Sequence, residues 1–140
     1  MKYLKSYLEV KSKTQYQFVE LNKEQISEIE DICLELLDYG TEAYFNETGD
    51  LWIQKSNLPE YNEDDEEYYY FKYTHEITEV IERIKDYLKD YDIFPVFRVD
   101  GILLNANQNP KKDMYGLIEL HFIKKLLPGE SPKRGSRWIY

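Results

Sequence analysis

Residues 29–51 return at 81–103, and this repeat constrains the fold more than any other feature of the chain. Ile29-Glu30-Asp31-Ile32 matches Ile81-Glu82-Arg83-Ile84, and Leu36-Leu37-Asp38-Tyr39 matches Leu88-Lys89-Asp90-Tyr91. Phe45, Gly49 and Leu51 fall on Phe97, Gly101 and Leu103. At an offset of 52, nine of these 23 positions are identical. A doubled unit is expected to fold pseudo-symmetrically, burying its helices and presenting a broad sheet face.

Each unit reads as β-α-β-β. Gln15–Leu21 and Glu67–Tyr73 are aromatic-rich segments suited to strands. Both are followed by a helix-capping residue, Asn22 or Thr74, and Gln25 stands three positions after Asn22, the spacing of a capping box. The 3.6-residue apolar stripe then predicts two helices. Helix one covers Lys23 to Asp38, with Ile26, Ile29, Ile32, Cys33, Leu36 and Leu37 on one face. Helix two covers His75 to Asp90, with Ile77, Val80, Ile81, Ile84, Tyr87 and Leu88 inward. Tyr39-Gly40 closes the first, and Asp92 stands where that glycine was in the second.

Two strands follow each helix. Glu42–Asn46 and Leu51–Lys55 are joined by a bend containing Gly49. Phe94–Leu104 and Tyr115–Lys124 flank a polar, turn-rich loop expected to be exposed and mobile, and Gly101 reads as a bulge inside the longer strand. The expected fold is therefore α+β, with internally duplicated β-α-β-β units forming one mostly antiparallel sheet and both helices on one face. Residues 1–140 make a single domain, with repeat one at about 15–56, repeat two at about 67–124 and an irregular basic tail over 125–140. Met1–Thr14 lies outside the repeat and has the apolar spacing of a short helix.

Acidic side chains number 27 against 18 basic ones, for a net charge of −9. That balance argues against direct nucleic-acid binding by the acidic body, which would need Lys and Arg for phosphate, and favours a basic protein surface as partner. The lone Cys33 rules out an internal disulfide. No stretch approaches the ~18 apolar residues of a membrane helix. A cytoplasmic protein is expected, in a bacterial cell or a phage-infected host, with no membrane contact.

Tyrosine supplies 14 of 140 residues, enough to dominate a surface. Strand alternation sends Val19, Leu21, Phe45, Leu51, Ile53, Phe71, Tyr73, Phe97 and Val99 to the core. It leaves Tyr16, Phe18, Tyr44, Trp52, Tyr68, Tyr70, Phe94 and Val96 on the opposite face. Such a face suits a partner, because Tyr and Trp provide large contact area at low entropic cost. A homodimer covering the same face is the alternative.

Between the units runs Glu60-Tyr61-Asn62-Glu63-Asp64-Asp65-Glu66-Glu67, a strip that imitates a row of phosphates or serves as a solvated, self-repelling linker. It lacks the spacing of a calcium loop. Charge is uneven beyond it: Lys124, Lys125, Lys133, Arg134 and Arg137 face only Glu130 in the last 17 residues, which end in Trp138-Ile139-Tyr140 and are expected to dock on the acidic body, with docking on a partner as the alternative.

Catalytic motifs are wanting. His75 and Glu79 can meet one helical turn apart, but a zinc protease needs a second His there. His121 alternates with Leu120 and Phe122 and reads as structural. Cys33 lies in an apolar stripe, where a thiol is inert packing. No catalytic residue, cofactor or metal ligand is expected. The function expected is non-enzymatic: binding and blocking a basic partner protein, a nuclease or other DNA- or RNA-acting factor, in the manner of phage anti-defence inhibitors or toxin-immunity proteins, which it resembles in size and charge alone. Glu63, Asp64, Asp65, Glu66, Glu67, Tyr68 and Tyr70 are the expected contacts, with Trp52 as an aromatic anchor. A homodimeric regulatory module and a small-ligand sensor are the alternatives.

Overall fold

The computed structural model describes residues 16–56, 69–106, 108–126 and 138–139. Strand β8 (Ile118–Lys125) organises the main sheet. On one side it pairs along most of its length with β5 (Ile93–Val99). On the other, β3 (Leu51–Lys55) takes its first half and β1 (Tyr16–Phe18) its second. Outer strands complete the sheet: β2 (Thr41–Phe45) on β3, β6 (Ile102–Leu103) on β5, and β9 (Trp138–Ile139) on β1. Every pairing among the described residues is antiparallel. Of the segment after Leu126, Trp138–Ile139 alone is described, paired with Tyr16 and Gln17 of β1.

Helices α1 (Lys23–Cys33) and α2 (His75–Lys89) feed one core with Leu51, Ile53, Phe97, Ile118, Leu120 and Phe122 of the sheet. They start 52 residues apart. Asn22 and Gln25 close the capping box on α1: the Gln25 N–H donates to Asn22 Oδ1 at 2.8 Å and the Asn22 N–H to Gln25 Oε1 at 2.9 Å. The Arg83–Glu35 ion pair links α2 to the segment after α1. All nine side chains assigned inward by strand alternation lie in or against this core.

Four expectations are corrected. The second unit's first strand does not join the main sheet: β4 (Phe71–Lys72) pairs with β7 (Met114–Tyr115) as a separate two-stranded ribbon. The segment read as one strand from Tyr115 to Lys124 is divided, because Asp100 Oδ1 accepts the N–H groups of Gly116 and Leu117, each at 3.0 Å. Those donors are lost to the ladder, and the chain turns between the two sheets.

Gly101 is a hairpin bend rather than a bulge. Val99 pairs with Ile102 around Asp100 (φ 45°) and Gly101 (φ 86°), the two positive angles of a primed turn. The end of helix one also differs. Leu34–Tyr39 tightens into a 3₁₀ helix, so Leu34 and Leu37 eclipse each other on the solvent side, 62% and 54% exposed, while Leu36 is fully buried. Gly40 (φ 76°) then ends the turn, and Asp92 adopts a similar left-handed angle (φ 58°) after α2.

Candidate functional site

With both helices on one face, the other face of the sheet carries Glu42, Tyr44, Trp52, Phe94, Val96, Arg98, Glu119, His121 and Ile123. The cross-strand registers align Tyr44 with Trp52, Trp52 with Glu119, Glu119 with Arg98, His121 with Val96 and Ile123 with Phe94. This outer face is graded. Around Ile123 and Val96 it is apolar and closed by Tyr16, Phe18 and Ala106. Around Glu119 it is charged. At its β2 end it is aromatic, with Tyr44 and Trp52 rings 6.0 Å apart and Tyr44 exposed. Burial and the adjacent Glu42 carboxylate push the Tyr44 phenol above its ordinary pKa. Trp52 Nε1 is buried without a hydrogen-bond partner among the described residues.

The charged zone is built from the β2–β3 bend and β8. Asn46 Oδ1 accepts the backbone N–H groups of Thr48 at 3.1 Å and Asp50 at 2.9 Å, a side-chain-stabilised turn that fixes where Asp50 emerges. The Thr48 hydroxyl donates to Asp50 Oδ2 at 2.8 Å. Asp50 Oδ1 lies 3.0 Å from His121 Nδ1. His121 Nε2 faces Glu119 Oε1 at 3.5 Å, and Arg98 Nε is 3.8 Å from Glu119 Oε2. Burial pushes the Asp50 carboxyl up, but the hydrogen bonds from His121 and Thr48 outweigh it and hold the group below the usual carboxylate range. The Phe18 ring meets the imidazole edge-on at 5.7 Å.

Compared with known proteins, the chain matches no family model, no curated protein and no solved structure. Its own geometry therefore carries the functional reading. Of the side chains expected to make contacts, Trp52 stands on the outer face. Tyr70 precedes β4, where its ring borders Gly116, and no ring contact joins it to Trp52 among the described residues. Glu63, Asp64, Asp65, Glu66, Glu67 and Tyr68 lie outside the described residues.

Asp50, Glu119 and His121 were missed by sequence reasoning. Glu119 and His121, two apart on a strand, must share a face, and that much was legible. Asp50 joins them only through the β3–β8 register, which pairs Leu51 with Leu120 and so sets Asp50 beside His121. His75 and Glu79 do meet, at 3.1 Å, but on the exposed side of α2. Cys33 is buried, and burial pushes its thiol up to about 12, as befits inert packing. No helix among the described residues is long and apolar enough to cross a membrane.

A cavity of about 440 Å³ opens elsewhere, between α2, β5 and the loop after β6. Tyr16, Phe94, Ile123, Lys85, Asp86 and Asn109 line it. Lys85 Nζ donates to Asn109 Oδ1 at 2.9 Å and lies 5.7 Å from the Phe97 ring centroid, tethering that loop to the helix.

Proposed function

We propose that this protein acts by binding a basic partner protein on the outer sheet face and blocking it, and that the partner is a nuclease or another DNA- or RNA-acting factor. The observation that carries the reading is the helix-free face itself, where the exposed Tyr44 and its neighbour Trp52 adjoin the Glu42 carboxylate. Aromatic side chains supply the contact area, and the carboxylate selects a basic surface. The net charge of −9 supports the same choice. In this reading the Glu63–Glu67 strip extends the acidic surface and takes positions otherwise held by nucleic-acid phosphates. The setting is the cytoplasm of a bacterium or of a phage-infected host.

The two β-α-β-β units are, in this proposal, copies of one ancestral unit. Their 52-residue spacing, the left-handed angles at Gly40 and Asp92, and those at Gly49 (φ 85°) and Gly101 (φ 86°) support that origin.

The test is a tagged pull-down from host lysate, washed at rising salt, with the wild type beside Tyr44→Ala/Trp52→Ala and a variant carrying Lys at 63–67. A stoichiometric basic partner, released by salt and lost from either variant, supports the reading. Retention by both variants removes the outer face and the strip from it. The cavity beside Lys85 favours a second reading, a small-ligand sensor, which predicts a ligand-dependent rise in melting temperature that Lys85→Met abolishes.

A further inference from the structure

Two polar groups in the charged zone are placed in a way that packing does not explain. Glu119 has a largely buried side chain, 11% exposed, whose carboxylate makes long ion pairs with His121 at 3.5 Å and Arg98 at 3.8 Å. His121 Nε2 is buried and has no hydrogen-bond partner among the described residues. Buried polar atoms are ordinarily satisfied, so an imidazole nitrogen without a hydrogen bond, facing a carboxylate oxygen at 3.5 Å, leaves a place for a third species between them.

We propose that Glu119 and His121 bind a divalent transition-metal ion of the zinc class, with Asp50 orienting the imidazole. His121 Nδ1 lies 3.0 Å from Asp50 Oδ1, so an Nδ1–H directed at that carboxylate leaves Nε2 as the nitrogen open to a metal. A carboxylate behind a ligating imidazole is the usual support of a protein metal site. The 3.5 Å between Nε2 and Glu119 Oε1 is near the ligand-to-ligand edge of a tetrahedral shell, about 3.3 Å for metal–ligand bonds of about 2.0 Å. Glu119 is free to ligate through Oε1 while Arg98 balances Oε2.

Ligating atoms of all three residues lie within 4.8 Å of one another, the compass of a single ion and its support. One imidazole with a carboxylate suits zinc, cobalt or nickel better than calcium or magnesium, which favour oxygen alone. Water fills the remaining positions. Phe18, edge-on to the imidazole, and Trp52, the cross-strand neighbour of Glu119, limit the solvent reaching the site. The site does not depend on the partner proposed above.

The measurement is calorimetric titration of the chelator-stripped full chain with Zn²⁺, paired with the visible spectrum of the Co²⁺ form. One ion per chain and Co²⁺ ligand-field bands are expected. His121→Ala and Glu119→Gln should weaken binding by more than about 100-fold, and Asp50→Asn by about 10- to 100-fold. The last two keep the side-chain shape, and circular dichroism checks the fold of each. His75→Ala, which removes the exposed histidine beside Glu79, should leave affinity unchanged. The proposal is overturned if the wild type shows neither heat nor ligand-field bands, meaning that a protonated His121 simply bridges two carboxylates. It is equally overturned if folded His121→Ala and Glu119→Gln bind like wild type, or if Mg²⁺ competes with Zn²⁺ on equal terms.

Discussion

Asp50 and His121 meet across the sheet at 3.0 Å, one from the end of a hairpin bend and the other from the middle of the central strand. The contact ties the β2–β3 hairpin to β8 beyond their last backbone pair. Replacing Asp50 with Ala should cost about 1–2 kcal/mol in urea unfolding, measured with chelator present so that no metal contributes. A variant as stable as wild type would show that the bend is held by Asn46 alone.

The 3₁₀ segment makes a sharp contrast among three leucines. Leu36→Ala should destabilise by about 2–5 kcal/mol, because a fully buried side chain leaves a cavity. Leu34→Ser and Leu37→Ser should each stay within about 0.5 kcal/mol of wild type, since both side chains face solvent. Denaturant midpoints decide it, and a large loss at Leu37 would restore the continuous α-helix that its spacing predicts.

Asp100 performs two tasks in one turn. It adopts a positive φ and catches the N–H groups of Gly116 and Leu117. Asp100→Ala should therefore cost about 1–3 kcal/mol, with the loss of two acceptor contacts adding to the strain of a left-handed alanine. Amide hydrogen exchange at Gly116 and Leu117 should accelerate in the variant. Unchanged exchange there would mean that those donors are protected by something other than the carboxylate.

Cys33 should be silent to thiol reagents. Burial raises its pKa from 9.0 to about 12, so the native thiol stays protonated at pH 8 and reacts only on unfolding. The same shift gives a sign for alkaline stability. The folded state disfavours the thiolate relative to the unfolded chain, so this contribution is full below about pH 9 and declines as pH rises toward 12. Fast labelling at pH 8 in the absence of denaturant would contradict the burial.

Much of the architecture was legible because it rests on local periodicity. The stripes of α1 and α2, the capping box at Asn22 and the alternation that sends Leu51, Ile53 and Phe97 inward are all short-range signals. What escaped were competitions decided at a distance. Phe71 and Lys72 lie in an aromatic-rich segment suited to a strand of the main sheet, yet find Tyr115 and Met114 instead of β8, because Asp100 diverts the chain at Gly116. Leu37 fits the helical stripe but is turned outward when the last turns tighten before Gly40. The candidate site was hidden for the same reason: Asp50 and His121 are neighbours only once β3 has found its register on β8.

The central place of β8 has a consequence for how the chain is made. Strands β1, β3 and β5 all take their partner from a segment synthesised after them. Until residues 118–125 have left the ribosome, α1, α2 and the β2–β3 hairpin have only each other to cover their apolar sides. The sheet closes through long loops, such as the one from Phe18 to Ile123, so its closure waits on the emergence of β8. A nascent chain arrested before β8 presents unpaired strand edges, and is the form of this protein most prone to aggregation and most dependent on chaperones.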